Sequence, residues 1–179
     1  MMGRIKTALR RVWRREDGTS SVEFVMVFPI FLFALFWSIE TSVWMLRATA
    51  LERGLDMAIR EIRISTQNAQ PTYDELKEII CDGAGNLGGD CFSDLKLELQ
   101  RANPRAFAGL PANADCVDKS EPIKPAVNFN PGQPNDLMLV RACARIEPLF
   151  PALHVGNAMK RESDGGTALV AISTFVQEP

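Results

Sequence analysis

Residues 22–46, VEFVMVFPIFLFALFWSIETSVWML, constrain this chain more than any other stretch. From 24 to 37 every residue is apolar, and the only charges in the whole run are Glu23 and Glu40. A helix needs about 20 mostly apolar residues to cross a bilayer core. The run supplies 25, so one crossing is available. A water-soluble domain would instead have to bury most of Phe24, Phe28, Phe31, Phe33 and Phe36, a heavy demand on a chain of 179 residues. Pro29 removes one backbone donor and is a site for a kink.

The flanks give the run a direction. Arg4, Lys6, Arg10, Arg11, Arg14 and Arg15 precede it, with no acidic residue among them. Of the 22 acidic residues only Glu16 and Asp17 come before Gly18. Basic residues beside a membrane helix stay on the cytoplasmic side, which sends the C-terminal part outward. The same cluster could contact nucleic acid, but its place directly before a membrane-length run favours the topological reading. The acidic remainder gives phosphate binding no support, so no nucleic-acid partner is expected. Leu9, Val12 and Trp13 would let this leader lie along an anionic membrane face.

All four cysteines, Cys81, Cys91, Cys116 and Cys143, follow the run. An even number on the outer side fits two disulfides. Three pairings are open; Cys81 with Cys91 is the shortest closure, around DGAGNLGGD, and would leave Cys116 for Cys143.

Beyond residue 46 the helical pattern continues but becomes one-sided. Leu51, Leu55, Ala58, Ile59 and Ile62 recur at helical spacing, with Arg47, Glu52, Arg53, Asp56, Arg60 and Arg63 mostly between them. Gly54 permits a close approach by another element. The helix should fade by Thr66, so a rod over residues 21–64 would be about 66 Å long. Residues 72–80 read as a short helix. In the loop that follows, Asp82, Asn86 and Asp90 have the wrong spacing for an EF-hand, and a disulfide-closed turn is the better reading. Residues 94–101 alternate, with Leu95, Leu97 and Leu99 against Lys96, Glu98 and Gln100, as a half-buried strand whose Glu98 points outward. Residues 103–136, rich in Pro, Gly, Asn and Ala, read as a surface excursion tied in through Cys116. Residues 137–146 and 167–176 are strands, separated by a turn over EPLFPAL and a polar hairpin-like loop over 160–166.

The junction at residues 18–23 carries a further signal. Gly18, four residues, Glu23 and then a long apolar helix resemble the processing site of type IV prepilins and pseudopilins. The fuller run GTSSVEFVMVFPI, with Pro29 in place, is similar to the start of TadE-like minor pilin proteins of the tight-adherence pilus. Near the other end, the FVQEP stretch loosely resembles the NEP-like ending of that family, with Gln177 in place of Asn. The resemblance implies an α+β, pilin-like fold. A long N-terminal transmembrane and amphipathic helix would pack on a small antiparallel sheet of about three strands, with disulfides. Its parts would be a leader (1–18), the helix (19–66) and a periplasmic head (67–179).

The resemblance also implies a function. A membrane-embedded prepilin peptidase would cut between Gly18 and Thr19, making Glu23 the fifth residue of the mature chain. That carboxylate would offset the α-amine of a neighbouring subunit, a pairing that low dielectric makes strong. Phe24 and Pro29 belong to the same assembly segment. The partners implied are the inner membrane, the peptidase, other major and minor pilins and the pilus assembly platform. The protein would sit in the bacterial inner membrane as a single pass with its head in the periplasm, or be carried into an extracellular pilus.

Other readings remain open on the residues themselves. Ser20 and Glu23 have capping-box spacing, which accounts for Glu23 without any assembly role. Ala48-Thr49-Ala50 has the small-x-small pattern of ordinary signal cleavage, although the run is longer than the usual signal core. A minor pseudopilin of general secretion, or an unprocessed envelope interaction protein, would share the helix. No nucleotide loop or Ser/His/Asp set is present, and the lone His154 lacks metal-ligand neighbours. Neither an enzyme nor a cofactor is expected.

Overall fold

The protein is described by a computed structural model for residues 19–65, 70–85, 87–103, 113–117, 119, 129–150 and 166–178. Among the described residues three helices and three strands follow in order: α1 (Thr19–Ile64), α2 (Tyr73–Ala84), α3 (Cys91–Asp94), β1 (Leu95–Arg101), β2 (Leu137–Ile146) and β3 (Thr167–Val176). The chain divides into two units, one ending at Ile39 and one beginning at Glu40. The boundary falls inside α1, which is helical on both sides of it.

The second unit is built on the one-sided part of α1. Leu51, Leu55, Ala58, Ile59 and Ile62 are buried, one stripe of a helix with 3.6 residues per turn. They share a core with Leu76 and Ile80 of α2 and with one face of the sheet. Burying a side chain such as Leu51 or Leu55 is worth about 1.5–3 kcal/mol. α2 starts at a complete capping box. The Thr72 hydroxyl accepts from the Glu75 N–H at 3.3 Å, and the Glu75 carboxylate accepts from the Thr72 N–H at 2.7 Å. Gly54 and Gly83 mark where α1 and α2 meet. A Cβ on Gly54 would collide with the Ile80 carbonyl, and one on Gly83 would stand 3.0 Å from the Gly54 Cα.

α2 runs past the expected end at residue 80, so Cys81 lies in its last turns and not at the start of a loop. The helix continues because Gly83 and Ala84 pack against Gly54. It stops at Gly85, whose φ of 64° suits a residue without Cβ and whose N–H donates to the Cys81 carbonyl. The Cys81–Cys91 disulfide then ties α2 to α3. Asp94 belongs to α3, so the first strand begins at Leu95, one residue later than alternation alone suggests.

The sheet has the order β1-β2-β3 and both pairings are antiparallel. Leu97 faces Ala142 across one pair, and Ala142 faces Ala171 across the next. The inner face carries Leu95, Leu97 and Leu99 of β1, Met138, Val140, Ala142, Ala144 and Ile146 of β2, and Leu169, Ala171 and Phe175 of β3, all buried. β1 is buried on its other face too, at Lys96 and Glu98, and is not the half-exposed strand that its alternation implies. The cause is a strap over the outer face, which pairs Asp115 with Lys96. The Cys116–Cys143 disulfide holds that strap. A loop of this size, spanning 27 residues, contributes about 3–4 kcal/mol in the chain-entropy picture.

Candidate functional site

The sequence directs attention to the start of α1. Thr19 is already helical, so Ser20 is an interior helical residue and not an N-cap; the capping box with Glu23 does not form. Glu23 is exposed one turn into the helix. Gly18 lies outside the described residues, as do His154, Asn86 and residues 160–165 of the polar loop. From 22 to 39 no side chain is buried, and Val25, Met26 and Ile30 are 67%, 69% and 72% exposed. A helix that is apolar all round and uncovered by its own protein is matched to hydrocarbon. By length and composition it can cross a membrane.

Details of this segment agree with that environment. Phe24 stacks on Phe28 at 4.8 Å between ring centroids, and Phe33 lies against Trp37 at 5.9 Å; both pairs are four residues apart. The Ser38 hydroxyl donates to the Leu35 carbonyl at 2.8 Å, so its polar atom is satisfied within the helix. Pro29 sits in the helix without ending it, although the Val25 carbonyl loses its helical donor there.

The exposed run ends sooner than its apolar sequence does. Glu40 is buried, and its two carboxylate oxygens accept hydrogen bonds from the backbone N–H groups of Leu149 and Phe150 at 3.1 and 3.0 Å. Two turns on, Arg47 donates to the Glu147 carbonyl at 2.8 Å. Residues 147–150 are therefore fastened to α1 between Glu40 and Arg47. A buried carboxylate needs such donors, because an unpaired one is costly.

A second fastening lies at the far end of α1. Gln177 is buried, and its side-chain amide donates to the carbonyls of Ile62 and Ser65 at 3.0 and 3.2 Å. It caps the last turn, where helix carbonyls lack partners of their own. Arg63 pairs with Glu178 beside it at 3.0 Å. The residue noted for its likeness to a family ending thus has a structural task here.

On the outer face of β1 and β2 lies the strap, described at residues 113–117 and 119. Lys96 pairs with Asp115, Arg141 pairs with Glu98 and also donates to the Asn113 carbonyl at 3.0 Å, and Lys119 reaches Asp94 at 2.7 Å. Glu98 faces away from the core as expected, yet it is buried by this cover. Its pairing with Arg141 contributes little net stability, but deleting one partner would strand a buried charge.

At the edge of the core, Lys77 lies between two rings, its Nζ 4.3 Å from the Phe92 centroid and 5.5 Å from that of Tyr73. Burial pushes the Lys77 ammonium down from its ordinary value, with Asp74 and Asp90 opposing. Burial pushes the Tyr73 phenol up, although its oxygen accepts from the Leu97 N–H at 3.3 Å. Hydrogen bonds from Thr72 hold the exposed Glu75 carboxyl below its ordinary value. Among the described residues no group of three or more His, Cys, Asp or Glu is placed to hold a metal ion.

Glu40, Gln177 and the Asp94–Lys119 pair were not foreseen as sites. Only Glu40 carries a local sign, as the one charged residue between Glu23 and Arg47. The geometry defines a long exposed apolar helix continuous with a disulfide-braced α+β head. A family model described as TadE-like protein matches residues 18–60, which relates this N-terminal region to that family. No curated protein matches the chain. No solved structure matches it. The family match and the helix together are consistent with a minor pilin-like role.

Proposed function

We propose that this chain is a minor pilin of a tight-adherence pilus, processed by prepilin peptidase between Gly18 and Thr19 and acting in pilus biogenesis and surface attachment. The basic leader faces the cytoplasm, residues 22–39 cross the inner membrane, and the head is periplasmic. Glu23 then pairs with the α-amine of a neighbouring pilin, while Phe24 and Pro29 pack in the same helix interface. The observation that carries this reading is the coincidence of the TadE-like match over residues 18–60 with a helix whose residues 22–39 are apolar and uncovered. Two disulfides in the head suit the oxidising side of the membrane.

A cut at residues 48–50 fits less well. Ala48 and Ala50 pack against the core, and removal of residues 1–50 would take away Glu40 and Arg47, which hold the 147–150 turn. Mass spectrometry of the protein made in a piliated host tests the proposal. A mature chain starting at Thr19 is expected; one starting at Met1 or Leu51 would sink it.

A further inference from the structure

We infer that the Leu149–Phe150 turn is a second membrane contact, through which the head rests on the lipid interface. This rests on the reading of residues 22–39 as the crossing segment. As a helix these residues rise about 27 Å, close to the roughly 30 Å thickness of a bilayer core. Glu40, the next residue, therefore stands at the boundary between hydrocarbon and headgroups. Its carboxylate holds the backbone N–H groups of Leu149 and Phe150 directly, at 3.1 and 3.0 Å. The turn cannot stand far above that boundary without giving up both bonds.

The side chains at this level suit lipid. Leu149 is 47% exposed, and Met45 and Leu46 on the adjoining stretch of α1 are 55% and 68% exposed. In water these would be uncovered apolar groups. At the interface they meet acyl chains, while Arg47 supplies a cation of the kind that anchors at headgroup level. Membrane contact at two places restrains the head's rotation and tilt, which a single helix crossing leaves free.

The full chain can be placed in nanodiscs of phosphatidylcholine and phosphatidylglycerol with a benzophenone amino acid at one site at a time. Three exposed apolar positions are compared: Leu149, Ile30 within the crossing, and Ile64 at the far end of α1. On illumination, phospholipid adducts are expected at Ile30 and Leu149 and at least tenfold fewer at Ile64. Adducts at Ile30 with none at Leu149 would overturn the interfacial contact and leave the crossing intact. Protein–protein adducts at Leu149 in place of lipid would assign the turn to a neighbouring chain and also overturn it. No lipid adduct at Ile30 would remove the crossing itself, and this inference with it.

Discussion

Residues 22–39 and residues 40–62 belong to one helix, yet they solve opposite problems. The first stretch is apolar on every side apart from Glu23 and Ser38 and buries none of its side chains. The second buries a stripe of apolar residues from Leu51 to Ile62 in the head core and leaves Glu52, Arg53, Asp56, Arg60 and Glu61 exposed. Apolarity alone does not mark the change, because residues 43–46 are as apolar as those before them. What marks it is Glu40, a buried carboxylate whose oxygens accept hydrogen bonds from the backbone of a distant part of the chain. A helix can thus pass from lipid-matched to core-matched without any break in its backbone. The pattern of partners, and not the count of apolar residues, sets where one ends.

The strongest way to break this contrast is to put a charge into each stretch. Leu51→Asp buries a carboxylate with no partner in a fully covered position. It should cost more than about 4 kcal/mol, so that the head loses its cooperative melting transition by circular dichroism. Retention of that transition would show that the stripe is not the head's core. Ile30→Arg places a charge near the middle of the uncovered stretch. It should disfavour insertion by about 3 kcal/mol, shown as a larger carbonate-extractable fraction, while the melting of the detergent-solubilised head stays within about 1 °C. A shift in head melting would mean that the two stretches are coupled.

Gln177→Ala sharpens the comparison at the other end of α1. Removing the cap on the Ile62 and Ser65 carbonyls should cost the head about 1–3 kcal/mol in urea unfolding and leave membrane extraction unchanged. The smallest effect concerns pH. Because the Glu75 carboxyl is held below its ordinary value of 4.5 in the folded head, its stabilising contribution is present above that value. It is lost as pH falls through the lowered range. The head's melting temperature should therefore drop on going from about pH 5 to about pH 3, and by less in Glu75→Gln. Equal drops in both proteins would rule out this carboxylate as a contributor.

Much of the architecture was legible because it repeats locally. The end of α1 near residue 64 and the strands at 137–146 and 167–176 follow from helical spacing, alternation and polar flanks. The longer α2 was not legible: the Asp-Gly pair at 82–83 reads as a turn until Gly54 is known to lie against it. Asp94 and Glu98 look like surface residues because their partners, Lys119 and Arg141, come from distant parts of the chain. Glu40 was visible as an oddity, but the backbone amides that receive it carry no sequence signature. Residue identity reveals what a side chain requires; only the fold reveals who supplies it.

The Gln177 cap has a consequence in time. It joins residues 115 positions apart, so the final turn of α1 is made long before its cap exists. At synthesis rates of about 5–20 residues per second, the wait is on the order of ten seconds. During that interval the carbonyls of Ile62 and Ser65 lack this donor. A chain that stops before residue 177 has the last helical turn but not its cap. One side-chain amide thus makes the closing of the last turn of α1 wait on residues beyond β3.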